Sequence, residues 1–186
     1  NIQNSFFSFV AFSLIASSVY MINDLLDLDS DRVHPFKRLR PFACGAASIK
    51  NGLMYILIFF ASSIILSIFI GINLFLLIIS YWILNLIYSL KFKKKRILDL
   101  LILAFFYTTR VLAGGLATDI EISIWLFAFT FFFFFSLASV KRQSELINTK
   151  NRKKIIGRGY STYDLQIINN LVWSSGFISI LIVGLY

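Results

Sequence analysis

Six apolar blocks, each close to the roughly 20 residues an α-helix needs to cross a ~30 Å hydrocarbon layer, dominate the chain and leave it few alternatives. They run over about residues 2–22, 52–70, 73–90, 97–117, 123–140 and 165–186. Each is continuously apolar rather than alternating. Strands would also leave unpaired backbone groups in lipid, so the expected fold class is all-α. With 58% hydrophobic and only 15% charged residues, the chain lacks the polar surface of a water-soluble domain. The expectation is a polytopic membrane helix bundle over residues 1–186, a single integral membrane domain whose first partner is membrane lipid.

The charges are placed as sharply as the apolar blocks. Of the 18 Lys and Arg residues, all but Arg110 lie in three connections, at residues 24–50, 91–96 and 141–164. The short connections at 71–72 and 118–122 have none. Cytoplasmic loops retain Lys and Arg, so the three basic connections are expected on the cytoplasmic side. This placement also accounts for the net charge of +9 without nucleic acid, which is not expected as a partner. No basic residue precedes the first block, which therefore reads as a span and not a signal peptide. The single cysteine, Cys44, makes no internal disulfide. The run of phenylalanines at 131–135 reads as lipid-facing or packing bulk.

At the end of the first block stands Asn23-Asp24-Leu25-Leu26-Asp27-Leu28-Asp29-Ser30-Asp31-Arg32. At 100° per residue, Asp27 and Asp31 lie about 300° and about 340° around from Asp24, so three carboxylates share one face while Asp29, at about 140°, points away. Like charges at these spacings repel, and a cation would offset the cost. Oxygen-only ligands suit a hard ion such as Mg²⁺, which bridges to phosphate oxygens, and point to a diphosphate substrate. The bland alternative is a solvated acidic helix end. Next comes His34-Pro35-Phe36-Lys37-Arg38-Leu39-Arg40-Pro41, a stiff basic loop holding both prolines of the chain. Its Arg forks match phosphate oxygens, although a loop serving only topology is the competing reading. His34 reads as a structural residue rather than a general base.

Within the fourth block, Asp99 and Arg110 share a face but stand about 16.5 Å apart along the axis, too far to pair. An Arg within a span is costly, so Arg110 should face the bundle interior or a polar cavity, reaching phosphate, an internal carboxylate or a structural partner.

Asn23-Asp24-x-x-Asp27-x-x-x-Asp31 resembles the first signature of the UbiA superfamily of intramembrane prenyltransferases. The extension through Arg32, His34-Pro35, Lys37-Arg38 and Arg40-Pro41 to Gly45 is more specific, and is similar to the branch containing decaprenyl-phosphate phosphoribosyltransferase. Tyr88-Ser89-Leu90-Lys91, Asp99, Arg110, Ala113-Gly114-Gly115, Ser123, Trp125 and Lys141-Arg142 with Glu145 continue the resemblance over nearly the whole chain. It implies a UbiA-type bundle with about six of about nine family helices present, and hence a chain truncated at both ends. It implies a Mg²⁺ ion held by Asp24, Asp27 and Asp31 as catalytic and metal-binding residues. Asn23, Lys37, Arg38, Arg40, Tyr88, Lys91, Asp99, Arg110, Lys141, Arg142 and Glu145 are then substrate-binding candidates. It further implies a bacterial inner-membrane enzyme with a cytoplasmic active-site mouth.

One departure bears on the substrate. Prenyltransferases of the superfamily carry a second acidic motif after a later span, where this chain reads Ser139-Val140-Lys141-Arg142-Gln143-Ser144-Glu145. Basic residues there suit two phosphorylated substrates, phosphoribosyl diphosphate as donor and a polyprenyl phosphate as acceptor; a snorkelling anchor is the plainer reading of Lys141 and Arg142. The leading expectation is therefore transfer of phosphoribosyl to the lipid phosphate with release of diphosphate. Transfer of an isoprenoid from its diphosphate to an aromatic or other small acceptor is the alternative. A cation-binding transporter or inactive membrane partner is the third. Lipid chain length and oligomeric state are not legible.

Overall fold

The computed structural model describes residues 2–148 and 158–186, and every regular element among them is helical. Of the seven α-helices, six follow the apolar blocks and α2 is a short acidic helix between the first two: α1 (Ile2–Leu26), α2 (Leu28–Arg32), α3 (Ile49–Ile70), α4 (Ile72–Ile87), α5 (Leu98–Thr118), α6 (Ile124–Asn148) and α7 (Leu165–Leu185). Six helical segments are long and apolar enough to cross a membrane, among them Ile72–Phe92, in which α4 continues through a π-helical turn at Tyr88–Phe92. The expected number of spans and the all-α class are therefore observed.

Two boundaries differ from the sequence reading. α1 runs on to Leu26, which places Asn23 and Asp24 on the helix itself. α6 runs on to Asn148, so Lys141, Arg142 and Glu145 belong to a helix and not to the connection expected at 141–164. Hydropathy stops at the first charges, whereas Lys, Arg, Gln, Glu and Leu are good helix formers and no Gly or Pro interrupts them. Lys150, Arg152, Lys153 and Lys154 of that connection lie outside the described residues.

The chain divides into two compact units. One comprises the described residues up to Ser89 together with Leu116–Asp119; the other comprises Leu90–Gly115 and the described residues from Ile120 onward. In the first, α1 packs against α3 and α4. Small residues bring the α1 and α3 backbones close, and the buried Ser63 hydroxyl donates to the Ala11 carbonyl at 2.7 Å. Phe12 of α1 meets Tyr81 of α4 with ring centroids 4.8 Å apart. Ser48 caps α3 by accepting from the Asn51 N–H. Gly52, in the first turn of α3, lies against the Phe42 ring: a Cβ there would come within 2.6 Å of it. This contact ties the loop after α2 to the helix.

In the second unit α6 lies along α7, with the Ser136 hydroxyl donating to the Val172 carbonyl at 3.1 Å and Gln143 to Asn169 at 2.9 Å. Its core joins Leu100, Ala104, Phe135, Ala138, Leu146, Tyr160 and Ile168. The phenylalanine run divides as helical geometry dictates: Phe135 is buried, Phe131 and Phe134 pack against the core, and Phe133 is exposed. The segment before α7 is drawn onto the loop before α5, because a Cβ on Gly159 would stand 1.9 Å from the Lys94 carbonyl oxygen.

Candidate functional site

The acidic cluster forms where α1 ends. α1 and α2 are separated at Asp27, yet the Asp27 N–H donates to Asn23 and the Asp31 N–H to Asp27, so the helical register carries across the break. Asp31 is buried and Asp29 exposed, in line with the face expected from their spacing. Arg40 lies at the end of a 3₁₀ turn over Lys37–Leu39 and reaches back to this face. Its Nη1 donates to Asp24 Oδ1 at 2.7 Å and to Asp31 Oδ2 at 2.8 Å. One cationic nitrogen thus stands where two carboxylates converge. His34 shapes the loop, its Nδ1 accepting from the N–H groups of Phe36 and Lys37 at 3.3 Å each. Lys37 is half-buried and Arg38 exposed. Asn23 is held by the Ser89 hydroxyl from the π-helical turn, which also carries the buried Tyr88 and the exposed Lys91.

Among the described residues, no group of three or more His, Cys, Asp or Glu side chains is arranged to hold a metal ion. Two converging carboxylate oxygens nevertheless fit the chemistry of Mg²⁺, which needs only one or two carboxylates and completes its shell with water and phosphate oxygens.

A second cluster is built on the other unit around Asp99, in the first turn of α5. Asp99 is fully buried, and its oxygens accept from Arg142 Nη2 at 2.6 Å and Arg158 Nη1 at 2.7 Å. Arg142 also pairs with Glu145, one turn on along α6, and lies 5.1 Å from the Tyr160 ring centroid. The buried Nε of Arg142 has no hydrogen-bond partner among the described residues. Tyr160 Oη accepts from the Ile97 N–H at 2.9 Å, at a residue with φ of 60°, a costly backbone conformation for a β-branched side chain. Burial, and then the charge of Asp99, push the Tyr160 phenol up to about 12. Arg96 donates to the Gly159 carbonyl at 2.9 Å and to Asp164 at 3.0 Å.

Asp99, Arg142 and Glu145 are thus brought together, while Lys141 is exposed on the same helix. Arg110, expected to face the bundle interior or a polar cavity, is not packed in the interior: it is exposed, with its guanidinium 4.9 Å from the Tyr107 ring centroid. The sequence reading missed Ser89 as the support of Asn23, and it treated Arg96 and Arg158 as topogenic charge only. The partner of Arg96 was legible in one respect: Ser161-x-x-Asp164 is a capping-box pattern, and the Asp164 carboxylate accepts from the Ser161 N–H at 2.7 Å and from its hydroxyl at 3.0 Å.

A sequence model of the UbiA prenyltransferase family matches residues 1–186. The chain belongs to that family. This UbiA family member is 36% identical over 181 residues to nodulation protein NoeC of Azorhizobium caulinodans, covering 96% of this chain and 59% of that protein. It is 31% identical over 169 residues to decaprenyl-phosphate phosphoribosyltransferase of Mycolicibacterium smegmatis, covering 90% of this chain and 52% of that one. The chain therefore spans between about half and three-fifths of the length of these relatives. The solved structure of a UbiA homolog from Archaeoglobus fulgidus, bound to DMAPP and Mg²⁺, superposes with a TM-score of 0.83. The match covers 98% of this chain and 65% of that one at 19% identity, a likeness of fold. The six apolar helices and the family together make this an integral membrane protein.

Proposed function

We propose that this UbiA family protein, a single transferase domain over residues 1–186, moves phosphoribosyl from phosphoribosyl diphosphate to a polyprenyl phosphate with release of diphosphate. The observation that carries the reading is the convergence of Asp24 and Asp31 on one cationic position at the end of α1. Asp24, Asp27 and Asp31 are assigned as the catalytic carboxylates that hold Mg²⁺, which when bound neutralises charge on the departing diphosphate. Magnesium in the Archaeoglobus relative supports that ion class. The rest of the chemistry is positioning and charge neutralisation. Asn23, Lys37, Arg38 and Arg40 in one unit, and Lys91, Lys141 and Arg142 in the other, are assigned to phosphate oxygens. The partnerless Nε of Arg142 is a donor suited to that role. Tyr88 and Arg110 are assigned to the substrates, and Asp99 and Glu145 act through Arg142, which they orient. The name and identity of the mycobacterial relative, together with Lys141 and Arg142 in place of a second acidic motif, support phosphoribosyl over isoprenoid diphosphate as donor.

The family name favours a second reading, transfer of an isoprenoid from its diphosphate to an aromatic or other small acceptor. A donor screen separates the two. Full-length protein in nanodiscs, given labelled phosphoribosyl diphosphate and polyprenyl phosphate, should release diphosphate and form a phosphoribosyl lipid. Prenylation of an aromatic acceptor without use of the ribosyl donor overturns the first reading. No product with either donor leaves a cation-binding transporter or inactive membrane partner. The bacterial inner membrane, with the acidic cluster facing the cytoplasm, is the proposed location.

A further inference from the structure

Asp31 is the least exposed member of the acidic cluster, with its side chain 4% exposed, and a buried carboxylate is costly without a cation beside it. Arg40 supplies that cation from a side chain that is 38% exposed, so the guanidinium has a path to solvent that Asp31 lacks. Its backbone is held: the Arg40 N–H donates to the Lys37 carbonyl, Pro41 follows, and Phe42 is wedged against Gly52 of α3. The side chain can therefore swing while its root stays at the mouth of the cluster. One nitrogen, Nη1, takes both bonds, so a single departure uncovers both oxygens.

We propose that Arg40 is the resident counter-cation of Asp24 and Asp31 and exchanges with a divalent ion, turning to a phosphate oxygen of the incoming substrate when the ion takes its place. This rests on the assignment of these carboxylates to a metal. The exchange couples two ligands. A divalent ion arriving alone must displace Arg40 and stand beside an uncompensated guanidinium, whereas an ion arriving with diphosphate gives that guanidinium a new anionic partner. Ion and diphosphate then bind cooperatively, each strengthening the other by the same factor.

The test measures Mn²⁺ binding by electron paramagnetic resonance on the purified protein in detergent, with and without inorganic diphosphate. Without diphosphate, Arg40→Gln should bind Mn²⁺ about tenfold more tightly than the unaltered protein, equivalent to about 1.4 kcal/mol. Arg32→Gln, which removes an exposed neighbouring charge with no role assigned to it, should change it less than about threefold. Diphosphate should tighten Mn²⁺ binding far more in the unaltered protein than in Arg40→Gln. Equal or weaker binding in Arg40→Gln, with Asp24→Asn still abolishing it, overturns the exchange while the metal assignment stands. Absence of Mn²⁺ binding in every protein, with or without diphosphate, overturns both.

If Arg40→Gln does not fold, the single native cysteine provides the readout. Cys44 is exposed and its N–H donates to the Arg40 carbonyl at 2.9 Å. A fluorophore on Cys44 should respond to Mg²⁺ with diphosphate in the unaltered protein and not in Asp24→Asn; an unchanged signal in the unaltered protein overturns the exchange.

Discussion

Removing the Asp99 carboxylate should be the most damaging single change in the second unit. Asp99 and Arg142 have side chains 0% and 4% exposed, so Asp99→Ala leaves a guanidinium that cannot reach water. Breaking a buried pair in this way costs about 3–5 kcal/mol. Glu145 still pairs with Arg142, and Arg158, at 17% exposure, can turn outward, so the lower end of the range is expected. At about 2–4 °C per kcal/mol for a chain of this size, the midpoint should fall by roughly 6–12 °C. Thermal challenge in detergent followed by size-exclusion chromatography reads this directly. The double variant Asp99→Leu with Arg142→Met removes the two most buried charges and should recover more than half of the loss, because the charges that remain, Glu145 and Arg158, are 28% and 17% exposed and can turn to solvent. A midpoint for Asp99→Ala within about 2 °C of the unaltered protein would refute the reasoning, as would a double variant no more stable than the single one.

Single Asn substitutions at Asp24, Asp27 and Asp31 should each abolish Mg²⁺-dependent turnover, while the exposed Asp29 should tolerate the same change; near-normal turnover of Asp31→Asn defeats the shared-face argument. Gly52→Ala should displace the Phe42 ring and cost about 1–3 kcal/mol, measured as a lowered melting midpoint, with weakened substrate binding because Arg40 stands two residues before Phe42. Tyr160 binds its proton more tightly when folded than the ordinary phenol near 10, so its contribution is intact below that pH and is lost as pH rises from about 10 to about 12. Melting midpoints over that range should therefore fall more steeply than in Tyr160→Phe. With Cys44→Ser as background, thiols introduced by Gly71→Cys and Asp119→Cys should be labelled from outside the cell, and one introduced by Lys94→Cys should not; the reverse pattern inverts the orientation.

The number of spans and the all-helical class were legible in the sequence because hydropathy acts locally: a continuous apolar run of sufficient length has no other low-energy state in lipid. The outward direction of Asp29 was equally legible, since helical period ties residues only to neighbours three and four positions away. The same locality hid the rest. Hydropathy alone does not show that the run Lys141-Arg142-Gln143-Ser144-Glu145 continues α6, because it ends a span where helix propensity does not. Asp99 meets Arg142 and Arg158 across 43 and 59 residues of chain, and Arg40 returns to Asp24 across 16. Such pairings follow from which helix faces pack and where a loop is pinned, as Phe42 is against Gly52 and Gly159 against Lys94. The sequence by itself determined which residues carry charge into an apolar bundle. Only the tertiary structure decided which opposite charge each one meets, because burial makes pairing obligatory while packing geometry chooses the partner.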